Sequence, residues 1–471
     1  MRFLIAPNYA HPYDQRMVRG LANALSVAGH PAYALPAPLH DHEIVTMCQT
    51  LDIDVLMQVN RFRPMDPPLP PTVRHIAWFQ DVFPETGANL RGCVQDSDIV
   101  YALGDPAVLG LTTELPCHVG SLITGVDEAV LNSKADPVGE RIDFSLCGFI
   151  PGHITTAPSV KTDMLWYLDT LLAKAPFLGK SRIFWLFRRA LFRKRLPVDH
   201  VPYAMLNAFR GIVESLYRPL RGELDIHSLS AAMLMTAKLF LKAEPPSVER
   251  RKSRRRQGRF GMLLRPYSTS AGSMQIKTHR ILGHLIAVAT DEPEKLSGTN
   301  ASIAYFAREY PRLLDRAALI TEVLSVARSL KLSLELYGPG WDTHEPFKPY
   351  YKGILETQDE LLTVYRRTRV NLANNTHGLG LHSRTLECMA VGGFIFTHAS
   401  PHDTKPGGMH TSFEPGIHYG MFTPENLQEE VRRWIKDGAQ RVKIGRCAAG
   451  VIRQKHLWRH RALQILEDLQ G

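Results

Sequence analysis

The sequence predicts an α/β protein with two Rossmann-like, doubly wound domains and a helical insertion in the second. Three observations predict it. Strand and helix signals alternate from Phe3 to Ile123, a second strand run opens at Ile142, and a long gap from Gly148 to Leu332 separates that run from its next strand. Alternating strands and helices argue for parallel sheets, because parallel neighbours need a crossover segment. A crossover needs far fewer residues than this gap holds, so most of it reads as an insertion.

Taken in order, Phe3 to Ala6 reads as the first buried strand. A helical pattern follows, with Met17, Leu21 and Leu25 on one face and Gly29 as its stop. Asp54 to Val59, Val73 to Phe79, Asp98 to Leu103 and His118 to Ile123 are the later strand-like runs of this half. Ligands on such sheets gather beyond the carboxyl ends of the strands. That rule singles out Asn8 to His11 after the first strand and Gln80-Asp81 after the Val73 strand. The second half opens with Ile142 to Gly148 and resumes with Leu332 to Tyr337, Arg369 to Ala373 and Gly393 to Thr397. The expected domains are residues 1–135 and 136–471, the second interrupted at about 155–300. Met164 to Ala173, Arg182 to Leu196, Met205 to Tyr217 and Leu229 to Lys242 make the insertion helical, and its basic segment Glu244 to Gly258 is expected to be mobile.

Composition narrows the class. Hydrophobic content of 44% and charge of 22% fit a globular protein. The six cysteines are scattered with no Cys-x-x-Cys pair, which suggests neither a zinc site nor a disulfide framework and makes a reducing cytoplasm the expected location. The apolar run at Met1 to Asn8 is too short for a signal peptide, and no stretch reaches the roughly 18 apolar residues of a membrane span. The net charge of +10 is unevenly placed: seven of ten residues from Arg250 to Arg259 are Arg or Lys. Such a run is either a solvated loop or a docking element for polyanions. Ser181 to Arg195 adds an aromatic-basic helix, with Ile183, Phe187 and Leu191 at helical spacing. It reads either as a core-packed helix with a basic outer face or as peripheral contact with an anionic membrane. Nucleic acid is not an expected partner.

The chemistry-bearing stretch runs from Asn374 to Gly393. A strand-like run feeds a loop containing Gly378 and Gly380, and a helix-like run follows. Loop glycines let backbone approach a ligand closely, and a helix start offers N–H groups with partial positive charge. His382 and Arg384 sit at that start, and Glu387 shares the helix face of Arg384. Phosphates at the tip and ribose hydroxyls on the acid would suit a nucleotide diphosphate. Tyr337 and Trp341 flank the Gly338-Pro339-Gly340 turn at the same strand edge, as walls of a base pocket or as packing, and Gly353 belongs to a loop offering backbone groups to a base edge.

Arg384-x-x-Glu387-x-Met389-Ala390-x-Gly392-Gly393 resembles the donor-binding helix of GT-B glycosyltransferases, especially the bacterial CgeB-like branch. Leu336 to Trp341, Tyr351 to Ile354, Leu361 to Tyr365, Phe413 to Gly416 and His456 to Arg461 resemble further segments of that family. The resemblance covers about 312–471 well. It reaches the first 150 residues more loosely, through Trp78 to Asp81 and Thr124 to Asp127. It implies a cytoplasmic, hexosyltransferase-like enzyme of two Rossmann-like domains. A nucleotide sugar would be its donor substrate, with no bound cofactor or metal, and the acceptor would be a saccharide, lipid-linked or protein group. Many retaining members carry a second Glu eight residues before the helix Glu; here that position is Leu379, so retention does not carry over.

In the inverting scheme, positive groups and helix-end N–H groups neutralise the leaving diphosphate. Arg384 is the first candidate and His382 stands beside it. The acceptor needs one base within hydrogen-bonding reach. His11, after the first strand, and Asp81, at the end of Trp78-Phe79-Gln80-Asp81, are the candidates, although His11 also suits a turn and Asp81 a helix cap. A nucleotide-sugar epimerase on the same fold, and a silent scaffold that docks through its basic insertion, are the competing readings.

Overall fold

The computed structural model describes residues 1–81, 86, 90, 92–109, 114–133, 142–151, 301–374, 380–400, 403–423 and 425–471, without the side chains of 108, 301–312, 314 and 315. The helical and basic insertion expected at about 155–300, with its aromatic-basic helix, lies outside these residues.

The first sheet has six parallel strands in the order β2-β1-β3-β4-β5-β6: β1 (Phe3–Ala6), β2 (Ala32–Ala34), β3 (Val55–Val59), β4 (Arg74–Phe79), β5 (Ile99–Ala102) and β6 (His118–Ser121). Its apolar residues alternate between two faces, as strand geometry requires. Phe3, Ile5, Met57, Val59, Ile76, Trp78 and Tyr101 share a core with Met17, Leu21 and Leu25 of helix α1 (Pro12–Val27). Leu4, Ala6 and Leu56 pack on Ile44, Val45 and Cys48 of helix α2 (Asp41–Thr50). Both faces are covered, which is why these strands read as continuous hydrophobic runs.

The second sheet has five parallel strands in the order β11-β10-β9-β7-β8: β7 (Ile142–Cys147), β8 (Leu334–Tyr337), β9 (Thr368–Ala373), β10 (Ile395–His398) and β11 (Gly420–Phe422). Two parallel-sheet α/β domains are therefore the architecture of the chain. Among the described residues, helix α3 (Glu128–Asn132) links the halves and α4 (Ala301–Leu330) precedes β8. The others are α5 (Gln358–Arg367), α6 (Ser383–Ala390), α7 (Leu427–Lys436), α8 (Gly438–Lys455) and α9 (Trp458–Asp468). A Thr357–Glu360 capping box starts α5 (Thr357 Oγ1 accepts the Glu360 N–H at 3.2 Å), and Asp437 caps α8. No described helix is long and apolar enough to cross a membrane.

The final helix does not stay with the domain that precedes it. Trp458, Ala462, Ile465, Leu466 and Leu469 lie in the α1 core of the first sheet, whereas the sequence assigns all of 136–471 to the second domain. The chain crosses between the halves at Leu122 to Val126 and again at His456 to Trp458, and the crossings are zipped together. Val126 donates its N–H to His456 at 2.8 Å, and Trp458 donates to Val126 at 3.2 Å. The Trp458 indole stands edge-on to Trp78. A Cβ on Gly125 would lie 2.7 Å from that indole, and one on Gly20 would overlap it, so two glycines make the socket.

Candidate active site

Both sheets have one topological switch point, where neighbouring strands send their connections in opposite directions: β1/β3 in the first and β7/β9 in the second. Crevices at the carboxyl ends of such strands are where ligands bind on these sheets.

At the first switch point, Pro12 opens α1 at the position where its missing N–H costs nothing. His11 is the N-cap, and its Nδ1 accepts the Tyr13 N–H at 3.3 Å. Asp14, in the first turn, accepts the Tyr9 N–H at 2.8 Å. Asn60 follows β3 in a left-handed conformation (φ 54°), which asparagine tolerates better than most residues. Its side-chain oxygen accepts the N–H groups of Gln80 (2.7 Å) and Asp81 (3.0 Å), while its amide donates to Asp81 at 3.3 Å. Asn60 thereby fixes the loop that carries Asp81. Burial raises the Asp14 pKa and the Asp81 charge adds to that rise, opposed by the Tyr9 hydrogen bond and by His11. Asp14 thus lies within electrostatic reach of both His11 and Asp81.

At the second switch point, α6 repeats the device. His382 is its N-cap, and Nδ1 accepts the Arg384 N–H at 3.4 Å and meets the Ser383 hydroxyl at 3.2 Å. The Arg384 guanidinium is half-buried and lies against Gly148 at the end of β7, where a Cβ would stand 2.7 Å from its Nη1. It makes no hydrogen bond or ion pair with the described residues. Glu387 is buried one turn further on, and its Oε1 accepts the Gln358 amide at 3.0 Å. Burial raises its pKa, against the pull of Arg16, Gln358 and Arg384. Arg16 belongs to α1, so the first domain lends a positive charge to the acid of the second.

The Gly338-Pro339-Gly340 turn is built for close approach. Gly338 has φ +114° and Gly340 φ +94°, and a Cβ on Gly338 would lie 2.7 Å from the Gly148 carbonyl. Gly338 donates its N–H to Gly353 at 2.9 Å, which lays the Tyr351 to Gly353 segment beside β8. Trp341 is fully buried and gives its indole N–H to the Gly148 carbonyl at 2.6 Å. The structure places this ring in the interior as packing, the alternative to a base-pocket wall. Tyr337 donates to Glu335 at 2.5 Å. Gly380 is buried, and Gly378 lies outside the described residues.

The two mouths meet. Tyr13 of α1 lies within reach of Ser383, Arg384 and Glu387 of α6, and burial there pushes its pKa up to about 12. Lys405 of the second domain pairs with Asp105 of the first at 3.8 Å. The structure therefore brings His382, Arg384 and Glu387 together at one mouth, and at the other places His11 and Asp81 each near Asp14. Sequence reading passed over Asp14, Arg16, Asn60 and Gln358. An acid three residues past a helix cap and an asparagine at a strand end were legible signals for Asp14 and Asn60. For Gln358, 29 residues from Glu387, the sequence carries no local signal.

No curated protein matches the chain in sequence. Among solved structures it is similar to a glycosyltransferase from Rickettsia africae ESF-5, at 8% identity and TM-score 0.44, covering 100% of this chain and 97% of that one. It is similar to Anabaena HepE in complex with UDP and glucose, at 10% identity and TM-score 0.40, covering 100% of both chains. Sucrose-phosphate synthase from Thermosynechococcus elongatus is similar at 10% identity and TM-score 0.40, covering 99% of this chain and 97% of that one. Over residues 316–467, the stretch that carries Arg384 and Glu387, the chain matches the family model of glycosyl transferase-like proteins.

Proposed function

We propose that the chain is a GT-B glycosyltransferase that moves a hexose from a nucleotide-diphosphate donor to an acceptor held by the first domain, without a metal ion. One observation carries this reading: an Arg384 guanidinium with no hydrogen bond among the described residues, seated on Gly148 at the β7/β9 switch point, with Glu387 one turn deeper on the same helix. The cation stands where a leaving diphosphate gathers charge, and a cation preorganised there acts mainly in the transition state. Glu387 has its second carboxylate oxygen unengaged among the described residues, suited to ribose hydroxyls. His382 and Gly380 frame the diphosphate, and Gly338 and Gly353 border the base side.

The acceptor is a saccharide, lipid-linked or protein hydroxyl activated at the first mouth, where His11 and Asp81 are the sequence-level base candidates. The match over 316–467 supports sugar transfer, and the motif from Arg384 to Gly393 supports the CgeB-like branch. The basic insertion suits peripheral attachment at the inner face of a bacterial membrane, with the enzyme otherwise cytoplasmic. A thermal-shift and calorimetric screen with UDP, GDP, ADP and dTDP and their hexose conjugates tests the reading. A true ligand at 100 times its dissociation constant adds about 2.7 kcal/mol of stability. A chain that binds none of these, or binds one without transferring or releasing its sugar, would overturn it.

A further inference from the structure

The cap geometry at the first mouth bears on which group takes the acceptor proton. A backbone N–H is only a donor, so the Tyr13 N–H must meet a lone pair on His11 Nδ1. In neutral imidazole one ring nitrogen carries the proton and the other the lone pair. With the Nδ1 lone pair engaged by the helix, the proton sits on Nε2, and the outward nitrogen of His11 is a donor.

Asp14 has the complementary equipment. One oxygen is fixed by the Tyr9 N–H at 2.8 Å, which orients the carboxylate, and the other accepts no hydrogen bond among the described residues. The group is half-buried in the first turn of α1, near both His11 and Asp81. Asp81 is less available, since the Asn60 amide already donates to it.

We propose that Asp14 is the base that activates the acceptor, and that His11 is a hydrogen-bond donor which holds the acceptor oxygen and caps α1. This rests on the glycosyl-transfer reading above. In the step, the acceptor O–H proton moves to Asp14 as the acceptor oxygen bonds to the anomeric carbon. The bond from that carbon to the diphosphate breaks, and its electron pair leaves with the nucleoside diphosphate. The anomeric centre inverts.

The test uses the full chain and water as the acceptor, following nucleoside diphosphate release from UDP-glucose, UDP-N-acetylglucosamine, GDP-mannose and dTDP-glucose. Asp14→Asn keeps an oxygen for the Tyr9 N–H and removes the base. His11→Asn keeps the cap acceptor and a donor and cannot act as a base. Asp14→Asn should lose about 10²-fold or more in kcat with donor affinity and melting temperature unchanged. It should also lose the acid limb of the pH profile. That limb lies above the ordinary carboxylate range in the parent, because burial and the Asp81 charge raise the Asp14 pKa against the Tyr9 hydrogen bond. His11→Asn should lower kcat by about 10-fold, through a weaker hold on the acceptor oxygen, yet retain the limb. Parent-like kcat in Asp14→Asn, or loss of turnover and of the limb in His11→Asn alone, overturns the assignment of the base. Absence of release by the parent protein from every donor overturns the transfer reading instead, and calorimetry with the same donors separates the two failures.

Discussion

The two mouths of this molecule share a backbone plan and differ in charge. Each lies at a switch point, β1/β3 or β7/β9, and each helix that leaves it, α1 or α6, is capped by a histidine that accepts the second helical N–H through Nδ1. Past the caps they diverge. The first turn of α1 carries Asp14 and looks across at Asp81, whereas that of α6 carries Arg384, with Glu387 withdrawn beneath it. Parallel-sheet topology provides a place to bind and a ring polarity at the cap. The chemistry comes from one or two side chains on the first helical turn. On the proposed reading, one mouth takes up a proton and the other holds negative charge.

Helix α9 joins the two halves, and the largest expected effect comes from breaking that junction. Trp458→Ala removes the indole that Gly20 and Gly125 enclose and should cost about 3–5 kcal/mol of stability in urea denaturation. A loss below about 1 kcal/mol would mean that α9 is not what joins the halves. Next is the cation. Arg384→Ala should lower kcat about 10²–10³-fold while changing KM much less, since the charge it meets develops on departure. A rise in KM with kcat intact would make Arg384 a ground-state binding residue. Glu387→Ala should weaken nucleoside diphosphate binding by roughly 1.5–3 kcal/mol in calorimetry, the range for a hydrogen bond to a charged group. Equal weakening of inorganic pyrophosphate, which has no ribose, would contradict the ribose assignment. The smallest effect sharpens the likeness of the caps: His382→Asn should leave stability within about 0.5 kcal/mol, whereas His382→Ala should lose about 0.5–2 kcal/mol.

Much of this was legible because burial on both faces leaves a plain mark. The runs at Phe3, Val55, Arg74, Ile99, Ile142, Leu334 and Thr368 are strands within a residue or two of where their hydrophobicity places them. The edge strands β2 and β11 are only three residues long and left too little signal. The start of α6 was legible for a different reason: a Gly-bearing loop, a cap and a basic first turn are local features. Asp14 and Arg16 acquire their meaning from Asp81 and Glu387, which are distant in sequence, and no periodicity encodes such a meeting. Trp341 shows the converse, since its place beside a glycine turn suited a pocket wall equally well until the Gly148 carbonyl was seen to take its N–H.

The return of α9 also bears on how the molecule is made. Domains generally fold as units during synthesis, the N-terminal one first. Here the sheet built by residues 3–121 keeps one apolar face, with Ile5, Trp78 and Tyr101 among its residues, incompletely covered until Trp458 to Leu469 have been translated. The more N-terminal of the two sheets is therefore completed only after the more C-terminal one has been made. A nascent chain must carry that sticky face through the production of the entire second domain, a long exposure to aggregation and a natural opening for a chaperone.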